Sequence, residues 1–252
     1  MAGIPMKDRR AMDHRNEIIA KLSPGKSFAE VGGLWGLANE KVSVAHAAGA
    51  TDLCMIDIWK PHDNWWVSFR NHCKERNIPY IREIIGSIDN VDIVRQVGVY
   101  DVVHCSGVLY HCPNPILTIS HLAAITRDIL LLGTAVMPAS VVNEAGSVQL
   151  DKDHAIFVPS ITEEKRKVYE KYISEAYGGG AWGINNPVDD WYFSSGAPNY
   201  GPWWWLWTHD YVRGLIEASG LKVIEEFDQF NGTGRLFACA KQYIGTENFG
   251  QY

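Results

Sequence analysis

The stretch Glu30-Val31-Gly32-Gly33-Leu34-Trp35-Gly36 places an acid and three glycines directly behind an apolar run. Glycines at a strand-to-helix turn let the backbone approach a ligand closely and adopt positive φ. Asp57 closes the next apolar run, 21 residues after Gly36. A carboxylate at that position accepts hydrogen bonds from the two vicinal hydroxyls of a ribose. Together these residues point to an adenosine-containing cofactor. The plainer alternative is a glycine turn chosen for tight helix packing, with Asp57 as a loop cap. A dinucleotide fits poorly, because Leu34 stands where a pyrophosphate fingerprint has its middle glycine. An acid at the strand end also repels a pyrophosphate and suits a cationic ligand. No tyrosine is followed four residues later by lysine, as a short-chain dehydrogenase requires, and Gly-x-Ser-x-Gly is absent, which disfavours an α/β-hydrolase.

A second segment, YDVVHCSGVLYHCPNP over 100–115, supplies titratable groups. His111 is the best candidate general base, since imidazole titrates near neutrality. Its alternative is a structural histidine that donates to a backbone carbonyl. Tyr110 reads as a pocket wall more than a catalyst. His209 is a further candidate base, or a contributor to a helix cap. His104-Cys105 and His111-Cys112 do not form a metal site on this reading. Neighbours on a strand face opposite sides, and no Cys-x-x-Cys or His-x-x-x-His pair supports them.

The elements that must position these residues follow from periodicity. Helices are expected over 8–22, 37–48, 65–76, 89–97, 115–126 and 208–219. Strands are expected over 27–31, 52–57, 79–84, 100–105, 128–132, 222–227 and 235–241. Strands alternating with helices imply a parallel sheet covered on both faces, with all strand C-termini on the ligand-binding edge. The last two strands, joined through Asn231-Gly232-Thr233-Gly234, suit a hairpin. Residues 135–207 read as irregular apart from one charged helix over 162–176, where Thr162 is a plausible N-cap.

Composition narrows the field. The chain has 252 residues and a net charge of −6, which argues against a broad basic face for nucleic acid. No stretch has the roughly 18 apolar residues of a membrane span, and no apolar region follows the N-terminal charges as in a secretory signal. Five widely spaced cysteines fit reduced thiols in a cytoplasm. Six of the ten tryptophans (Trp182, Trp191, Trp203, Trp204, Trp205 and Trp207) crowd into 182–207, alongside Tyr192, Phe193, Tyr200, Asp189 and Asp190. Such a stretch buries an apolar or cyclic acceptor, stacks a ring or cages a cation. Its plainer roles are a satellite core, expected to take at least half of these side chains, or a homodimer interface.

With EVGGLWG over 30–36, Asp57 in LCMIDIW and GVLYH after the fourth strand, the chain resembles class I S-adenosylmethionine-dependent methyltransferases. Residues 100–115 are most similar to the subgroup related to tRNA wobble-uridine carboxymethyl transferases. The resemblance covers 28–134 well and 208–241 in outline. It implies one α/β domain over 1–252, with a Rossmann-like seven-stranded, mostly parallel sheet, helices on both faces and the last strand antiparallel. Residues 1–24 would form an N-terminal helix, and 135–207 an aromatic-rich substrate cap inserted between strands five and six.

The resemblance also assigns residues. Glu30, Gly32, Gly33 and Gly36 would flank the methionine portion of S-adenosyl-L-methionine. Asp57 would hold the ribose, with Ile58 and Trp59 beside the adenine and Ser87, Ile88 and Asp89 at its amino group. Ser106 and Gly107 would lie under the sulfonium, and Tyr110 and His111 at the acceptor. Trp191, Tyr200, Trp203 and Trp204 are candidate substrate contacts. The expected activity is methyl transfer to O or N of a small-molecule acceptor, with no metal and with nucleic acid disfavoured as a partner. The carboxylated form of the cofactor would need a basic residue that no Lys or Arg supplies in the sequence pattern. A tRNA-modifying transferase and a non-catalytic binding protein on the same fold, the latter motivated by Leu34, are the alternatives.

Overall fold

Short apolar runs rich in Val, Ile and Leu form the buried centre of a sheet, where both faces are covered and alternation is lost. The computed structural model describes residues 14–177, 183–185, 191–229 and 233–241. Its first half runs α1 (Arg15–Leu22), β1 (Ser27–Val31), α2 (Val42–Ala47), β2 (Asp52–Asp57), α3 (Asn64–Glu75), β3 (Arg82–Ile85), α4 (Val91–Val97), β4 (Tyr100–Ser106), α5 (Pro115–Ile125) and β5 (Thr126–Ala135). The chain returns to the sheet through α7 (His209–Ala218), β10 (Leu221–Gln229) and β11 (Gly234–Lys241).

These strands form one seven-stranded sheet in the order β3-β2-β1-β4-β5-β11-β10. The pairs β1–β2, β1–β4, β2–β3 and β4–β5 are parallel, while β11 runs antiparallel to both β5 and β10. The fold is therefore the expected α/β Rossmann-like sheet with one reversed strand. One face packs Ile119 and Leu122 of α5 and Val212 and Leu215 of α7 against β4 and β5. The other packs Ile19 of α1, Val42 of α2 and Phe69 of α3. Local signals set the helix starts. Asn114 accepts a hydrogen bond from Leu117 N–H at 3.2 Å ahead of Pro115, and Asn90 accepts from Asp92 N–H at 2.9 Å.

Between β5 and α7 lies the insertion, which departs most from its expected irregularity. It contains β6 (Ser140–Asn143), β7 (Gly146–Gln149), β8 (Ala155–Phe157), α6 (Glu163–Tyr177) and β9 (Trp205–Trp207). The strands β6 and β7 form a hairpin, and β8 pairs with β9 so that Ala155 lies opposite Trp207. Local periodicity does not reveal that second pairing, because its strands are three residues long and far apart in sequence. The insertion has its own apolar core, which includes Tyr169, Ile173, Trp191, Trp204 and Leu206.

Other boundaries also shift. The helix expected over 37–48 begins only at Val42, because Gly36 and Leu37 both have positive φ (58° and 53°) and break the helical path. The strand expected over 128–132 extends to Thr126–Ala135, since β4 pairs with it from Thr126 and β11 pairs with it from Ile129 to Ala135. The N-terminal helix is seen from Arg15; residues 8–13, Trp182, Asp189, Asp190, Asn231 and Gly232 lie outside the described residues. Among the described residues, no helix is long and apolar enough to cross a membrane.

Trp207 joins insertion to sheet. It is buried, its indole N–H donates to the Ala135 carbonyl at 2.8 Å, and its own carbonyl accepts from Met137 N–H at 2.7 Å. Trp207→Ala is expected to lower stability by about 3–5 kcal/mol in urea unfolding. A loss below about 1 kcal/mol, within the range of surface substitutions, would contradict this placement.

Candidate active site

The turns that leave the parallel strands enclose a cavity of about 840 Å³ at the sheet's C-terminal edge. Ligand cavities commonly hold about 300–1,000 Å³, so this one has room for more than one small group. Val31, Gly32, Ile56 and Asp57 form one side, with Ile58, Trp59 and Trp35 at the rim. Ser87 and Ile88 lie beyond β3; Gly107, Tyr110 and His111 come from the turn after β4. Tyr200 and Trp203 cover the cavity from the insertion.

Two glycines are required by geometry. Gly32 has φ 77°, its N–H donates to the Ile56 carbonyl at 2.9 Å, and a Cβ there would meet Val108 Cγ2 at 2.2 Å. Gly107 also has φ 77°, bonds to the Gly133 carbonyl at 3.0 Å, and has Asn39 Nδ2 where a side chain would go, 2.8 Å from an ideal Cβ. Both turns thus bring bare backbone to the cavity.

Asp57 is only 5% exposed. Its Oδ2 accepts from Leu34 N–H at 3.1 Å and its Oδ1 from Trp59 N–H at 3.4 Å. Burial pushes its pKa up to about 6, against the pull of those backbone donors. Leu34 now has an explanation: its side chain is buried in the core with Phe28 and Met55, and only its N–H serves the site.

At the other end, Nδ1 of His111 lies 2.9 Å from the Pro202 carbonyl. A carbonyl only accepts, so Nδ1 carries the proton and the ring's lone pair sits on Nε2. Burial pushes the pKa down to about 4, so the imidazole is neutral at physiological pH. The two roles considered for His111 are therefore compatible, because the carbonyl bond orients the ring. Tyr110 packs beside it, with ring centroids 4.5 Å apart, and lies 4.3 Å from Trp203. Backbone holds this corner together, since Trp204 N–H donates to the Tyr110 carbonyl at 2.8 Å. The Tyr200 hydroxyl reaches Ser87 and Asp89, linking the insertion to the turn after β3; burial pushes that hydroxyl up to about 12.

Several expected residues do not line the cavity. Glu30 is fully buried, with Oε1 2.7 Å from Nδ1 of His104 on the adjacent strand. Burial raises its carboxyl well above the usual range, with the Glu40 charge adding to the effect, and its side chain does not border the cavity. Gly33, Gly36 and Ser106 also stand back from the cavity wall. Trp191 and Trp204 belong to the insertion's core, where their rings meet edge to face at 5.0 Å.

His209 is on a separate shallow depression with Glu226, Phe227 and Arg235. Its Nε2 lies 2.6 Å from Glu226 and its Nδ1 2.8 Å from Asp210. Burial pulls its pKa down, but these carboxylates outweigh it and leave it raised. Two residues had no motif to mark them. Asn39 lines the cavity, and the buried Arg15 backs it, donating from Nη1 to Asn39 Oδ1 at 2.6 Å and to Ser106 Oγ at 3.2 Å.

No family model matches the chain, and no curated protein matches it in sequence. Solved structures do match it in fold. Magnesium protoporphyrin IX methyltransferase from Synechocystis PCC 6803, with bound SAH, superposes with a TM-score of 0.54 at 15% identity over 96% of this chain and 90% of that one. The Burkholderia thailandensis 1,6-didemethyltoxoflavin-N1-methyltransferase gives 0.52 at 12% identity over 94% and 80%. The fold is that of class I S-adenosylmethionine-dependent methyltransferases. A Rhodobacter sphaeroides chain assigned, without proof of activity, as a zinc-dependent alcohol dehydrogenase gives 0.56 at 10% identity over 91% and 90%. Among the described residues, no three His, Cys, Asp or Glu side chains gather as a metal-binding group.

The raised pKa of Asp57 carries a stability consequence. An exposed aspartate titrates near 3.9, whereas the folded chain keeps this proton up to about 6. The folded state binds more protons between those values, so stability falls as pH rises from about 4 to 6 and stays lower above. Asp57→Asn without ligand is expected to raise the unfolding free energy, measured in urea, at neutral pH by up to about 3 kcal/mol, with no gain at about pH 4. Equal destabilisation at both pH values would contradict the assignment.

Proposed function

We propose that the protein is an S-adenosylmethionine-dependent methyltransferase that transfers a methyl group to O or N of a small-molecule acceptor. One observation carries this reading: a single cavity is bordered by Asp57 and the Gly32 turn on one side and by the Gly107 turn, with Tyr110, His111 and Trp203, on the other. The cofactor, when bound, supplies a methyl group on a positively charged sulfur.

The residues present fit that group. Asp57 is held by backbone donors at the cavity wall and would accept the ribose hydroxyls. Ile58 and Trp59, both partly exposed at the rim, would flank the adenine, with Ser87 and Ile88 at its edge. Gly32 and Gly107 present bare backbone at the cavity wall, where a Cβ would collide with Val108 and Asn39. Asn39, backed by Arg15, suits the amino-acid end, where a carboxylate needs a donor and a nearby cation. Tyr110, His111, Tyr200 and Trp203 would hold the acceptor and keep water out, which in-line displacement needs along with alignment.

The plain cofactor fits better than its carboxylated form, because no described residue lining the cavity is Lys or Arg. The same lining and the net charge of −6 favour a small molecule over tRNA. Five buried, unpaired cysteines suit a reducing cytoplasm. Calorimetry with S-adenosylhomocysteine is expected to give micromolar affinity, and Asp57→Ala to weaken it at least about tenfold, or ~1.4 kcal/mol. Absence of binding to the folded wild-type protein would overturn the reading.

A further inference from the structure

The acceptor end of the cavity has a definite chemistry. Its walls are rings and branched alkyls: Tyr110, Trp203 and Tyr200, with Ile173 and Ile184. The Tyr110 and Trp203 planes are inclined at 39°, and His111 meets Trp203 edge to face with centroids 6.2 Å apart. The exposed Trp35 stands at the rim. None of the described lining residues is Lys or Arg, and Arg15, close behind the wall, is already bonded to Asn39 and Ser106. An anionic acceptor would lose its hydration without gaining a cationic partner, which is unfavourable. A flat uncharged ring loses little and gains aromatic contacts. One polar feature is directional, since the Pro202 carbonyl holds His111 with its lone pair on Nε2.

We infer that the acceptor is an uncharged planar aromatic ring that packs on Trp203 and Tyr110 and offers the N–H or O–H to be methylated to Nε2 of His111. This rests on the methyltransferase reading above. In the transfer, the acceptor's N or O lone pair forms the new bond to the methyl carbon. The carbon–sulfur bond breaks with its electron pair retained on sulfur. The acceptor's proton passes to Nε2 and from there to water. A weak base suffices, because the N–H or O–H becomes strongly acidic as the methyl bond forms.

The test measures binding apart from turnover. Protein saturated with S-adenosylhomocysteine is titrated, by ligand-observed NMR and tryptophan fluorescence, with indazole, umbelliferone and lumichrome. Controls are the ring-carboxylated counterparts of the first two, N-methylated indazole and cyclohexanol. Neutral rings are expected to bind at least about tenfold more tightly than their carboxylates and than cyclohexanol. Trp203→Leu should weaken them by a similar factor. Trp35→Ala, at an exposed position that does not threaten folding, should weaken them by about two- to threefold, as for one partly exposed ring contact. His111→Phe should abolish the preference for indazole over its N-methyl derivative. Equal or tighter binding of the carboxylates or cyclohexanol, no binding of any neutral ring, or an unchanged indazole preference in His111→Phe would overturn the inference. If S-adenosylhomocysteine itself fails to bind, the underlying methyltransferase reading falls as well; if it binds and the carboxylates win, only the acceptor class is wrong.

Discussion

The five-residue turn from Gly107 to His111 is held from two directions, and the arrangement of the cavity depends on that. From the sheet, Gly107 N–H reaches the Gly133 carbonyl on β5. From the insertion, Trp204 N–H reaches the Tyr110 carbonyl, and the Trp205 indole N–H reaches Pro113 at 3.2 Å. The β8–β9 pairing in turn fixes the tryptophan run that makes those bonds. The insertion is therefore built into the wall of the site. Its position decides where His111 and Tyr110 stand relative to the strand ends.

Electrostatics and stability oppose each other at this edge. Asp57 is buried beside a glycine turn, and no described lining residue is Lys or Arg, so its ionised form is disfavoured in the free protein. Glu30, one strand away and deeper, is shielded by His104 and held above its usual pKa range. Hydroxyl donors from a bound ribose would relieve the penalty at Asp57 and not at Glu30, because only Asp57 borders the cavity. A residue that destabilises the empty fold while meeting the ligand is the pattern expected of a binding group.

Much of this was legible in the residues. Apolar-rich runs over 52–57, 100–105 and 128–132 marked buried parallel strands, and the glycine turn and strand-end acid marked the cofactor edge. What escaped was set by distance along the chain. The pairing of Ala155–Phe157 with Trp205–Trp207 joins segments with no shared periodicity. Arg15 and Asn39 come together only because α1 packs beside the turn after β1. Composition put the tryptophans in the insertion without telling which face the cavity, and the structure divides them: Trp203 lines it, while Trp191 and Trp204 form core. His209 followed the same logic, a titratable residue near the right helix that faces Glu226 instead.

The central claim is that one cavity holds the nucleoside at Asp57 and the reacting centre at the Tyr110–His111 turn. A crystal structure of the protein with S-adenosylhomocysteine tests it most directly. The account predicts both ribose hydroxyls within about 3.2 Å of the Asp57 carboxylate, at hydrogen-bond distance, and the sulfur beside Gly107, facing His111 and Trp203. Product bound at another surface, or in this cavity with its ribose away from Asp57, would contradict it.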